Sequence, residues 1–138
     1  MENKERNQFN QLMRERTLTM SIGVFNLFVD KRFTQSSRPV INQVIRSSSS
    51  VASNFRAATR ARSDAEFYSK ICIVMEECDE TQFWFDYLQK INIIKSEEVK
   101  HVKSEIDQLI KIFSSIKKKL KEKQKGLPDG KLRNRGNG

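Results

Sequence analysis

The chain of 138 residues is 37% hydrophobic and 31% charged, with a formal net charge of +9, which suits one folded domain able to bury about two thirds of its unfolded surface. The charge is uneven: residues 117–138 hold nine Lys/Arg against two Asp/Glu, so a nearly neutral body carries a basic extension. The longest purely apolar run, Ile71–Met75, is too short to cross a bilayer, and Val, Ile and Thr never sustain the period-two alternation of a sheet.

Only Gly23 and Pro39 interrupt the first 125 residues, so helix breakers are nearly absent there. The opening MENKERNQFNQ is polar, has no secretory-signal pattern, and reads as a frayed arm over residues 1–15. A first helix is predicted over 16–33, with Leu18, Ile22, Phe25 and Val29 as its inner face and Val24 and Phe28 widening it. Pro39, a first-turn residue, opens a second helix to about Arg60, with Ile41, Val44, Ile45, Ser48, Val51, Ala52 and Phe55 inward. The Ser47–Ser50 run reads as a linker by composition, yet the apolar spacing continues through it in phase. Four small residues there allow a neighbouring helix to come close.

Ser63, with Glu66 three residues later, has the pattern of a capping box and opens a third helix to about Ile91. One of its stripes is Phe67, Ile71, Val74, Cys78, Phe85 and Leu88; a second carries Ile73, Trp84 and Tyr87. A helix apolar on two sides has more than one partner. Ser96, Glu97 and Glu98 start a fourth helix, acids in its first turn suiting the dipole. Its seam, Val99, Val102, Ile106, Leu109, Phe113, Ile116 and Leu120, alternates spacings of three and four, the pattern of bundle packing. Four helices with short connections predict an all-α, antiparallel up-and-down four-helix bundle over 16–125, followed by a disordered basic tail over 126–138.

Charge separates the second and third helices. Arg38–Arg62 holds five positive residues and no acid, whereas Asp64–Asp86 holds seven acids and one lysine. Folded back on each other, the two bring Arg46 to the level of Asp79 and Glu80. Arg46 and Asn54 are therefore expected to pair with third-helix carboxylates, on the face where Glu77, Glu80 and Trp84 align, and to fix register more than stability.

Catalytic patterns are missing. A di-metal bundle site needs two Glu-x-x-His pairs, and the lone histidine, His101, supplies one with Glu98. Neither a phosphate-cradling glycine loop nor zinc-type cysteine spacing occurs. Cys72 and Cys78 lie about 9 Å apart along one helix, beyond disulfide reach, and read as thiols of a reducing cytoplasm. No catalytic residue, metal site or cofactor is expected, and no membrane partner.

The stretch from Arg46 to Leu88 resembles the bacterial 23S rRNA-intervening sequence proteins. Their second helix reads approximately RS-x-S-[IV]-x-x-N-x-x-x-A, matched by Arg46, Ser47, Ser50, Val51, Asn54 and Ala58. The RARS-x-x-[DE]-F turn is matched by Arg60, Ala61, Arg62, Ser63, Glu66 and Phe67. The E-x-x-[ED]-[ST]-x-x-W motif is matched by Glu77, Glu80, Thr81 and Trp84. One departure is Ala57, where many members carry Glu. The resemblance implies a left-handed bundle assembled as a homopentamer and associated with nucleic acid. It is distantly shared with accessory subunits of the reverse transcriptases in diversity-generating retroelements. It hands over no reaction.

Two basic features are candidates for RNA or DNA contact: Arg56, Arg60 and Arg62 near the turn, and Lys117, Lys118, Lys119, Lys121, Lys123 and Lys125 leading into the tail. Without interleaved aromatics the tail grips phosphates but does not stack bases. The expected protein is a non-enzymatic, cytoplasmic, oligomeric nucleic-acid binder. The alternative is an interaction scaffold or accessory subunit for a nucleic-acid enzyme such as a reverse transcriptase.

Overall fold

The computed structural model describes residues 2–126, with side chains from Lys4 on. Its four helices are α1 (Glu2–Phe28), α2 (Arg38–Ala58), α3 (Asp64–Lys90) and α4 (Ser96–Lys125), and no strand occurs among the described residues. Each helix packs on its neighbours in cyclic order, α2 on α3 most extensively and α1 on α4 least. Cross-helix contacts fix the antiparallel sense. Arg14 Nη1 reaches Thr59 Oγ1 at 3.3 Å, and Lys123 Nζ reaches Asp64 Oδ2 at 2.6 Å. Arg16 donates to both oxygens of Glu105, at 2.7 and 2.9 Å.

The core is filled from all four elements. Phe55 of α2 and Phe113 of α4, both fully buried, meet across the bundle axis with ring centroids 5.5 Å apart. Of the α4 seam, Val99, Val102, Ile106, Leu109 and Phe113 are buried, while Ile116 and Leu120 are half-buried as the helix runs on. On α3 the stripe Ile71, Val74, Cys78, Phe85 and Leu88 is buried, with Thr81 filling its gap. On α2, Ser47 and Ser48 are fully buried, so the serine run lies inside the helix where close approach of α3 needs small side chains.

The helix ends follow local chemistry. Ser63 Oγ accepts the Glu66 amide hydrogen at 3.1 Å and starts α3. α4 starts at Ser96 as expected, with Glu98 Oε1 of its first turn accepting from the Lys95 amide at 3.0 Å. α3 closes in a Schellman motif: Asn92 adopts φ 61°, its amide donates to Gln89 O at 3.1 Å, and the Ile93 amide donates to Leu88 O at 3.0 Å. Asparagine is the non-glycine residue best suited to that left-handed position.

The first helix departs from expectation twice. It begins at Glu2 rather than near residue 16, because Asn10, Met13 and Thr17 continue the buried stripe into the stretch read as an arm. Its inner face is Met13, Thr17, Met20, Val24 and Phe28. Leu18, Ile22, Phe25 and Val29, expected inside, are instead 50–55% exposed. Both stripes have helical spacing. The inner one is disguised by Thr17, whose hydroxyl is satisfied within the helix by Met13 O at 2.9 Å. The tail expected over 126–138 lies, beyond Gly126, outside the described residues.

Candidate nucleic-acid interface

The residues singled out on α2 and α3 form two separate arrangements. In the first, Arg46 projects across to α3, where Nη1 meets Glu77 Oε2 at 3.2 Å and Nη2 donates to Glu80 Oε1. The Trp84 indole N–H donates to the same Glu80 oxygen at 3.3 Å. One turn inward, Thr81 Oγ1 lies 2.8 Å from both Ser47 Oγ and the Glu77 carbonyl oxygen, wholly out of water. Arg46 and Ser47 thus meet Glu77, Glu80, Thr81 and Trp84 as one interhelical lock. Asn54 does not join it. Its amide donates to Ser50 O and Oγ of its own helix, both at 2.9 Å, because it lies two turns beyond Arg46 toward the end of α2.

The Arg46 guanidinium, as hydrogen-bond donor, holds the Glu80 carboxyl below the usual carboxylate range, against the opposing pull of burial. The same hydrogen bond raises Arg46. Arg46 keeps about half its side chain exposed, so the pair is screened and contributes modestly to stability. Burial pushes the Cys78 thiol up to about 12, helped by the negative charge of Glu77 and Asp79, which leaves it protonated and a poor nucleophile at neutral pH.

The second arrangement is a groove between α1 and α2, of about 610 Å³, whose wall includes Arg14, Arg56 and Arg60 with Ser21, Ser49 and Ser53. Arg56 and Arg60, expected near the α2–α3 turn, line this groove on the side of α1. Arg14 was not foreseen, since it lies in the segment read as an arm. Its signal was its place four residues before Leu18 on one helical face. No carboxylate among the described residues lies within ion-pair distance of Arg14, Arg56 or Arg60.

The remaining basic candidates divide. Arg62 is 88% exposed and stands 3.7 Å from Glu66 one turn on. Lys117 lies over the Tyr68 ring, 5.8 Å from its centroid, and Lys123 bridges to Asp64. Lys118, Lys119, Lys121 and Lys125 face solvent. The Lys123–Asp64 contact places the end of α4 beside the α2–α3 turn, at the arginine end of the groove. Among the described residues no cluster of three or more His, Cys, Asp or Glu could hold a metal ion, and no helix is long and apolar enough to cross a membrane.

These features define an all-α four-helix bundle whose motif residues tie its second helix to its third. The sequence matches the family described as 23S rRNA-intervening sequence protein over residues 11–115, and the chain belongs to that family. It is similar to a crystal structure of a protein with unknown function from the S23 ribosomal protein family of Bacteroides thetaiotaomicron. That likeness has a TM-score of 0.67 at 26% identity, covering 76% of this chain and 97% of the other. No curated protein matches the sequence.

Proposed function

We propose that the protein is a non-enzymatic, oligomeric bundle of the cytoplasm that binds RNA or DNA through backbone charge. The observation that carries this reading is the set of cations that have no carboxylate partner among the described residues, at one end of the bundle: Arg56 and Arg60 with Lys118, Lys119, Lys121 and Lys125. Such groups displace counterions from phosphates, so log affinity should fall linearly with log salt. Deleting residues 126–138 should reduce the slope, measured by anisotropy of a labelled oligonucleotide. Salt-independent binding, or none at low salt, would overturn the reading.

Self-association is supported by apolar surface on two diagonal helices. Leu18, Ile22, Phe25 and Val29 line the outside of α1, and Phe83, Tyr87 and Ile91 that of α3. Two different patches on opposite sides of one chain suit head-to-tail contacts, which close into a ring when the rotation permits. Five copies is the number implied by resemblance. An accessory subunit for a nucleic-acid enzyme such as a reverse transcriptase is the alternative reading, and the same stripes would then meet another protein. Its sign would be a copurifying protein that survives nuclease treatment.

A further inference from the structure

We propose that the α1/α2 groove is a seat for the backbone of single-stranded nucleic acid, with Arg14, Arg56 and Arg60 as its phosphate ligands. This deepens the reading above, on which it rests, and names a site that the tail does not include. Ser49, Ser53 and Arg56 fall at spacings of four and three on one face of α2, spanning about 10 Å along the axis, and Arg60 follows in the turn just past the helix end. Arg14 closes the groove from α1 and is held toward α2 by its hydrogen bond to Thr59 Oγ1. Three arginines thus line one groove from α1, α2 and the turn after it, each guanidinium a planar fork suited to phosphate oxygens.

The groove contains one carboxylate, Glu15, which accepts from Gln11 Nε2 at 3.5 Å, so positive charge prevails. Its floor includes Leu18 and Ala52. A duplex presents its phosphates with the bases turned away and would leave that apolar floor unused. A single strand can lay phosphates on the arginines and turn its unpaired bases toward Leu18 and Ala52, an apolar contact without stacking, since no aromatic side chain lines the groove. The outward apolar stripe of α1 continues from Leu18 away from the arginine end, through Ile22, Phe25 and Val29. The outer face of α1 thus runs from a basic half to an apolar half that meet at Leu18, and Ile22, Phe25 and Val29 lie outside the groove.

The test uses the full chain and fluorescein-labelled single-stranded RNA, single-stranded DNA of the same sequence, and the matching duplex. The groove variant Arg14→Gln/Arg56→Gln/Arg60→Gln should weaken single-strand binding at low salt and lower the log–log salt slope by about 2, at roughly 0.7 per single-strand phosphate contact. Restoring charge with Arg14→Lys/Arg56→Lys/Arg60→Lys should recover most of the slope. RNA and DNA strands losing affinity alike would assign the contact to phosphate; loss for RNA alone would add the 2′-hydroxyl to the recognised chemistry. An unchanged slope in the groove variant, with loss confined to Lys118→Gln/Lys119→Gln/Lys121→Gln, overturns the groove and leaves the broader reading standing. A variant that alters particle mass but not RNA affinity overturns it in favour of a contact with the acidic α3 of a second copy. Failure of the wild-type chain to bind any of the three overturns both.

Discussion

Arg46 and Ser47 reach α3 side by side, one at the surface and one in the dry interior, so charge and hydroxyl matching act on the same register. Arg46→Glu and Glu80→Arg should each cost about 0.5–1 kcal/mol, the range for a partly exposed pair, and the double swap should recover most of the loss. Additive losses in denaturant midpoints would sink the pairing. Glu80, held below its usual range first by the Arg46 hydrogen bond and then, against burial, by the Trp84 indole, also predicts a pH dependence. A carboxylate with a depressed folded pKa stabilises the fold above its unfolded value, and the contribution disappears as pH falls through the folded value. Wild-type stability should therefore decline below about pH 4.5, and Glu80→Gln should decline less steeply there, checked by urea midpoints across that range. The pairing of Arg46 was legible because opposite charges on adjacent antiparallel helices have little choice of partner. Asn54 was misplaced because an amide is equally well satisfied by its own helix, and nothing in the sequence separates the two outcomes.

At the scale of elements, α2, α3 and α4 follow their apolar periodicity to within about two residues at either end, each start marked by proline, serine or an acidic turn. The first helix was harder because it carries two apolar stripes, and periodicity alone does not say which one faces the core. The stripe containing Thr17 lost in hydrophobicity to the one containing Leu18 and Phe25, yet only the former is continuous with Met13 across the full packed length. Gly23 lies within α1, and a Cβ there would meet nothing within 4 Å. Gly23→Ala should thus stabilise the isolated chain by about 0.5–1 kcal/mol through helix propensity, raising Tm by a few degrees. A fall in Tm would mean that this space is occupied.

For the whole molecule, the proposed self-association rests on the outward apolar faces of α1 and α3. Phe25→Glu and Phe83→Glu should each reduce the particle to a monomer, read by light scattering. Mixed together, the two variants should form a heterodimer and nothing larger, because each retains the face that the other has lost. Unchanged mass in both variants would remove these faces from the interface. The bundle was legible from periodicity and connection length. The outward apolar surface was half visible, in the second stripe of α3. The basic groove was only partly so, since its Arg14 wall depends on α1 packing farther toward the N-terminus than its polar opening suggested.

The bridge between Lys123 and Asp64 has a further consequence. It anchors the last turns of α4 at the end of the bundle that also holds the groove arginines, so Lys118, Lys119, Lys121 and Lys125 stand at that same end. On the proposed reading, the two sets of cations engage one polymer with avidity, and the second contact forms at the high effective concentration that their place on one chain creates.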